Sequence, residues 1–137
     1  MTPEDLVLVQ STFADVLPRS ATLAASFYDR LFTASPELRP LFPDEMSLQR
    51  QKLIEELAAI VDAVSDLPGL IARTAPLGQR HRAYGAKPLH YRLVGECLLA
   101  SLADQLGEDW TPEVARAWTL AYRLVAETMQ QGAYATG

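Results

Sequence analysis

Apolar residues recur three or four positions apart along most of the chain, which is the spacing of amphipathic helices. A first helix is predicted over residues 3–18, with the hydroxyl of Thr2 as its cap. A second helix is predicted over residues 20–33, with Ser20 as its cap. Three prolines then fall between positions 36 and 43, which allow at most one helical turn before an irregular corner.

The second half of the chain repeats this pattern. A long helix is predicted over residues 47–64, with its glutamates facing solvent, followed by a weaker one over residues 70–85 that Pro76 breaks. Another helix is predicted over residues 88–107, where the closing glycine suits a left-handed conformation. The last begins after Thr111 and is expected to fray from Gly132 to Gly137.

These elements make the fold class all-α. We expect six substantial helices plus a short proline-rich turn, with no strand, repeat or linker. A chain of 137 residues fits one domain spanning positions 1–137.

Composition narrows the classes of partner. The net charge is -5, and we interpret the 12 basic residues as scattered along the chain. Both features disfavour nucleic acid as a partner. No apolar run of about 18 residues predicts a membrane span, and the acidic first residues do not resemble a secretory signal, so a cytoplasmic location is expected. Cys97 is the single cysteine, and its apolar flanks indicate packing in a helix face rather than reactivity.

Three segments carry a family resemblance. They are Phe-Tyr-Asp-Arg-Leu-Phe at 27–32, Ser-Pro-Glu-Leu-Arg-Pro-Leu-Phe at 35–42, and Arg-His at 80–81 followed by His-Tyr-Arg-Leu-Val-Gly at 90–95. In this order and spacing the chain resembles the bacterial haemoglobins, single-domain globins related to the haem domain of flavohaemoglobins. The resemblance covers essentially the whole chain and implies a globin fold around a haem pocket.

The resemblance also implies roles for particular residues. It makes His81 the proximal iron ligand, places Phe42 on the haem face, and puts Tyr28 and Gln49 on the distal side with Leu53 in the distal wall. Hydrogen bonds from two distal donors imply high dioxygen affinity and slow release. The chain has no Cys-x-x-Cys-His motif, so the cofactor is expected to be haem b held non-covalently.

Further residues complete the expected pocket. Leu77 shares a helix face with His81, Tyr91 and Tyr122 are expected to border the proximal side, and Arg80 is expected to meet the haem propionates. The remaining two expected pocket residues are Val94 and, as a second propionate partner, Lys52.

Each candidate has an ordinary structural alternative. A lone histidine is more often a hydrogen-bonded core residue, Tyr28 could be a core tyrosine, and Gln49 could be a solvated helix residue. Arg50 is an alternative distal residue, but it lies about 100 degrees around the helix from Gln49. His90 is assigned no iron because its basic neighbours suggest exposure.

Two main functions follow from the resemblance. The preferred one is reversible dioxygen binding, with nitric oxide and carbon monoxide as further ligands, by a monomer or weak homodimer. The alternative is a nitric oxide dioxygenase that works with a separate reductase. In flavohaemoglobins a late glutamate joins a tyrosine at the proximal histidine; Tyr91 matches the tyrosine, but this chain has Gln131 at the late position. A haem-free helical interaction module is the third possibility.

Overall fold

The computed structural model describes residues 1–134, and this part of the chain folds entirely into helices and turns. The α-helices are α1 Pro3–Val16, α2 Ser20–Ala34, α3 Ser47–Ala63, α4 Leu67–Ala83, α5 Pro88–Leu106 and α6 Pro112–Tyr134. Short 3-10 helices occur at Leu17–Arg19, Pro36–Leu41 and Gly107–Asp109. The predicted all-α class and the six helices are confirmed.

The two predicted caps at the start of the chain differ in outcome. Thr2 caps α1 as predicted: its hydroxyl accepts from the Asp5 N–H at 3.2 Å, and the Asp5 carboxylate accepts from the Thr2 N–H at 2.9 Å. Ser20 is not a cap, because it is the first residue of α2 and Arg19 stands before it without a side-chain bond. The preceding 3-10 turn already supplies an acceptor for the Ser20 N–H, the Leu17 carbonyl.

The proline-rich segment is more regular than predicted. A six-residue 3-10 helix, Pro36–Leu41, replaces the single expected turn. Its tighter hydrogen bonds, such as Leu38 N–H to the Ser35 carbonyl and Phe42 N–H to the Arg39 carbonyl, tolerate Pro40 within the helix. This regular segment therefore holds Phe42 at a fixed position after α2.

The predicted break of α4 at Pro76 is wrong, since this helix is continuous from Leu67 to Ala83. Close packing against α6 offsets the backbone bond that proline removes. A Cβ on Gly78 would overlap the Met129 backbone, and the buried hydroxyl of Thr74 donates to that of Thr128 at 2.8 Å. No other pair of helices in residues 1–134 is packed as extensively as α4 and α6.

The end of α6 is also more regular than expected. The predicted fraying from Gly132 is wrong as far as Tyr134, because α6 reaches that residue and Gly132 packs tightly on Ala75 of α4. Residues 135–137, the rest of that prediction, lie outside the described residues.

The core lies where α1, α2, α5 and α6 meet. Trp118 crosses it, stacking obliquely on Phe13 at 6.3 Å and donating its indole N–H to the Thr12 hydroxyl at 2.9 Å. Cys97 is 6 % exposed within this core, which confirms its prediction as a packing residue. Within residues 1–134 no helix is both long and apolar enough to span a membrane.

Candidate functional site

A buried polar pair joins α2 to α3. The Gln49 amide donates a hydrogen bond of 3.1 Å to the hydroxyl oxygen of Tyr28, which is only 5 % exposed. Burial raises the pKa of Tyr28, opposed by the bond from Gln49, so the phenol stays neutral near pH 7. No residue within 1–134 accepts the Tyr28 proton, which leaves this O–H able to donate to a ligand.

Aromatic rings surround the Tyr28 ring. Phe27 meets it edge-on at 5.0 Å, Phe32 stacks on it at 5.8 Å, and Phe42 meets it edge-on at 5.6 Å. Phe42 therefore stands beside the polar pair, half-buried at the corner after the 3-10 helix. Phe32 was not among the expected pocket residues, although its position one helical turn after Tyr28 was a signal for this contact.

Arg39 fixes this corner, a role that sequence reasoning missed. Its guanidinium donates to the carbonyls of Phe42, Pro43 and Asp44 at 3.3, 2.9 and 3.1 Å. The same group lies 5.2 Å from the centre of the Phe32 ring, a cation–π contact. A long cation just before a proline-rich corner was the available sequence signal.

Gln49, rather than Arg50, faces Tyr28. Arg50 belongs to a different face of α3, and its Nε atom is buried without a hydrogen-bond partner among residues 1–134. Hydrogen bonds from Ser47, helped by the charge of Arg50, hold the pKa of Glu45 below its ordinary value. Leu53, one turn after Gln49, is half-buried and packs against the core.

On α4, a hydrogen bond fixes the ring of His81. Its Nδ1 lies 2.7 Å from the Leu77 carbonyl oxygen, which can only accept, so Nδ1 carries the proton. In the neutral ring the lone pair then resides on Nε2, the atom suited to a metal. The ring is exposed, which removes the alternative of a core histidine.

Two tyrosines, one of them beside His81, are joined by a hydrogen bond. The Tyr91 ring lies 6.4 Å from the imidazole, centre to centre, and its carbonyl accepts from the Tyr122 hydroxyl at 2.5 Å. Burial, reinforced by Tyr91, raises the pKa of Tyr122. Gly95 makes room for this ring, since a Cβ there would stand 2.5 Å from a Tyr122 ring carbon. Val94, next to it on α5, is half-buried against the core.

His90 does not resemble a metal ligand. It is half-buried, and its Nδ1 accepts from the Lys87 backbone N–H at 3.0 Å, which helps to cap α5. Within residues 1–134 no group of three or more His, Cys, Asp or Glu side chains is placed to hold a metal ion.

Two surface grooves lie beside these residues. An open groove of about 610 Å³ separates the start of α5 from the end of α6 and includes Tyr91, Tyr122 and Gln131. The second groove, of about 260 Å³, includes Arg80 together with Arg73 and Glu56. The structure thus brings the two tyrosines together and places Arg80 apart from them.

Two expectations about charged residues on α3 have different outcomes. Glu56 was expected to face solvent, but it is half-buried and pairs with Arg73 at 2.6 Å, because α3 and α4 meet at this point. Lys52 is exposed, and its role as a propionate partner stays a prediction.

Helix α4 packs unevenly on the helices around it. Within residues 1–134 it packs on α6 and more lightly on α3, and its contacts with α2 and α5 are at most slight. Several apolar side chains of α3 and α5 remain half-buried although they contact the core; they include Leu53, Leu57, Leu93 and Val94. Partly covered apolar side chains of this kind can contact an apolar ligand.

Comparison with known proteins shows which family this chain is similar to. Residues 25–129 match the family model for Globin. A protein named flavohemoprotein from Bacillus subtilis is 32 % identical over 123 residues, covering 88 % of this chain and 31 % of the relative. Flavohemoproteins from Bordetella pertussis and Vibrio cholerae are 32 % and 28 % identical, covering 94 % and 93 % of this chain and 33 % of each relative. The chain spans about a third of the length of these relatives.

Proposed function

The chain belongs to the globin family, a family of haem proteins, and from this premise we propose that it binds haem b non-covalently and takes up dioxygen reversibly. In this proposal His81 is the iron ligand, and Tyr28 and Gln49 are the donors on the opposite side of the haem. Residues 1–137 then form one globin domain with a single ligand site.

The observation that carries the proposal is the hydrogen bond from His81 Nδ1 to the Leu77 carbonyl. It fixes the ring tautomer and orientation and leaves Nε2 available, which is how proteins prepare a histidine to ligate a metal. The His81 ring is exposed, and the helix that carries it packs only lightly on α3. These residues fit a porphyrin, whose apolar faces suit the half-buried Leu53, Leu77 and Val94.

When bound, haem would supply an iron centre able to take dioxygen, nitric oxide or carbon monoxide. The protein's own part is to offer hydrogen bonds to the bound ligand. Because Gln49 donates to the Tyr28 oxygen, the Tyr28 proton points away from the amide and can reach a ligand atom. The rings of Phe27, Phe32 and Phe42 limit the access of water to this hydroxyl, which strengthens the bonds it makes.

Hydrogen bonds of this kind determine how long a polar ligand stays. A bond to a group that carries charge contributes roughly 1.5–3 kcal/mol, and each 1.4 kcal/mol corresponds to about tenfold in affinity. Tyr28 therefore favours high affinity and slow release of dioxygen, which suits storage, delivery or scavenging. Carbon monoxide, which accepts hydrogen bonds weakly, gains much less.

The decisive experiment is a titration of the purified chain with hemin. We expect one equivalent to bind, with spectra of a five- or six-coordinate haem b protein in the ferric, ferrous and carbonyl forms. His81→Ala should lose retention of ferric haem, whereas His90→Ala, the other histidine, should keep it. A folded chain that refuses hemin, or an unchanged ferrous spectrum and stoichiometry in His81→Ala, would contradict the proposal.

A second candidate function is nitric oxide dioxygenation, in which nitric oxide, dioxygen and one electron from a separate reductase give nitrate. The position of Tyr91 beside His81 favours it, together with the relatives named flavohemoprotein. Gln131 weakens it, because this amide bonds the Glu127 carboxylate at 3.2 Å and offers no charge of its own near Tyr91. Sustained nitrate production over many turnovers with added reductase would establish it, whereas a single turnover would leave dioxygen binding as the function.

A further inference from the structure

Charge is strongly segregated along the chain. Residues 67–95, the segment that contains His81, hold five of the 12 basic residues and none of the 17 acidic ones. The rest of the chain holds all 17 acidic residues and the other seven basic ones. The expectation that the basic residues are scattered is therefore wrong for this segment.

Three cations lie at the rim of the groove between α5 and α6, two of them from this segment. Arg92 and, from α6, Arg123 line the groove together with one carboxylate, Glu127, and Lys87 stands at the start of α5 beside Pro88, another lining residue. All three cations are exposed. The two ion pairs found within residues 1–134 engage other cations, Arg30 and Arg73. We call Lys87, Arg92 and Arg123 the basic rim.

The basic rim lies close to the iron ligand proposed above. Tyr91 lines the same groove and its ring centre is 6.4 Å from that of His81. Apolar side chains next to the rim are also exposed, Tyr84 by 70 % and Leu89 by 65 %. Cations around a few exposed apolar residues are the usual composition of a small, transient docking surface.

We propose that the basic rim docks the acidic surface of a one-electron donor protein, of which a reduced flavodoxin is a suitable example. The inference rests on the proposed haem function, since the electron would pass from the flavin to ferric iron and leave the flavin oxidised by one electron and the iron ferrous. Iron that loses an electron to dioxygen needs such a donor before it can bind dioxygen again.

Electrostatics makes this face the one that an acidic donor would use. With a net charge of -5, the chain as a whole repels an acidic protein. Surface charges act over about 10 Å at 0.1 M salt, so the local positive rim dominates once the donor is near. Because the basic rim lies near Tyr91 and His81, an electron from a donor docked there has a short distance to travel to the haem. A docking site elsewhere on the acidic surface would lengthen that distance.

The test compares two charge-reversal variants of the full haem-loaded chain. One is Arg92→Glu/Arg123→Glu at the rim, and the other is Arg19→Glu/Arg116→Glu, which makes the same charge change at exposed sites elsewhere. Stopped-flow mixing with reduced flavodoxin measures the bimolecular reduction of ferric haem at low and high salt. Dithionite reduction and the haem stoichiometry of each variant show whether the haem site itself has changed.

We expect the rim variant to be reduced by flavodoxin about tenfold more slowly at low salt and nearly at the wild-type rate at 0.5 M salt. The matched control should change far less, and dithionite should reduce all three proteins alike. Equal flavodoxin rates in the two variants would overturn the proposal, as would tighter binding of the rim to anionic vesicles or to nucleic acid than to flavodoxin.

A separate measurement distinguishes this inference from the proposed function. Oxidised flavodoxin added to the isotope-labelled chain should shift the amide resonances of residues 84–92 and of α6 around Arg123, and salt should reverse the shifts. If the chain does not bind hemin but still shows these shifts, the haem proposal is contradicted and the docking surface is supported. If the chain binds hemin but does not show the shifts, the docking surface is contradicted and the haem proposal is supported.

Discussion

The Gln49 amide lies 3.1 Å from the Tyr28 hydroxyl oxygen, with the amide as the donor. The direction of this bond matters more than its length, because it leaves the phenolic proton for another acceptor. A residue 21 positions away in sequence thus prepares Tyr28 to act on a ligand. The first prediction tests this relationship.

Tyr28→Phe should release dioxygen about tenfold faster or more, because it removes a donor and keeps the ring contacts with three phenylalanines. Gln49→Leu should have a smaller effect, since its amide acts mainly by orienting Tyr28. Dissociation is measured by displacement with carbon monoxide in stopped flow. Gln51→Leu, an exposed glutamine on the same helix, is the control. Unchanged release in Tyr28→Phe would exclude Tyr28 as the donor.

Gly95→Ala should destabilise the fold by about 1–3 kcal/mol, the usual cost of overpacking. The added Cβ would meet the Tyr122 ring at 2.5 Å, and that ring is held by its bond to the Tyr91 carbonyl. Urea unfolding measures the loss. Tyr122→Leu should relieve much of this overpacking, so the double variant should lose less unfolding free energy than the sum of the losses in the two single variants. Additive losses would show that the glycine is not required by Tyr122.

Alkaline pH should destabilise the fold through two buried phenols. Burial raises the pKa of Tyr28 and of Tyr122, whereas in the unfolded chain both ionise near the ordinary value of about 10. Folding stability is therefore fully present below about pH 10 and falls as the pH rises above it. Urea unfolding at pH 9 and pH 11 should show a smaller loss in Tyr122→Phe than in wild type. Tyr84→Phe, at an exposed ring, should behave like wild type.

Arg39→Met should loosen the corner that carries Phe42. It removes the cation that donates to three successive carbonyls, at a cost of about 1–3 kcal/mol in unfolding free energy. The haem-loaded variant should also lose hemin faster, because Phe42 is then less well fixed. Arg19→Met, which removes one bond to the Gln105 carbonyl, is the matched control and should cost less. Similar losses in both variants would contradict the role of Arg39.

The sequence predicted the helices better than their ends and interruptions. Thr2 and Gly107 could be interpreted from local chemistry, since a capping hydroxyl and a positive φ of 55° depend on neighbouring residues only. The predicted break at Pro76 was wrong because the lost backbone hydrogen bond is a local effect, whereas the packing that offsets it comes from α6, a helix more than 30 residues later. The same distance explains why Gly132 was expected to fray.

Some residues of the candidate site were expected from the sequence, and others were found only in the structure. The positions of Tyr28, Gln49 and His81 came from a resemblance of ordered segments, and the structure places Tyr28 and Gln49 in direct contact. The role of Arg39 and the pairing of Glu56 with Arg73 did not follow from the sequence. Both depend on which side chains the packed helices bring into reach.

By itself the sequence determined that this chain is an all-helical globin, because periodic apolar faces and turn residues act locally and three ordered segments identify the family. Only the tertiary structure decided the chemistry between distant residues. It turned the Gln49 amide toward Tyr28, brought the Tyr91 ring to 6.4 Å from the His81 ring, and gathered the basic rim around one groove. Hydrogen bonds and charges act over a few ångströms in space, and helix packing alone fixes which groups are that close.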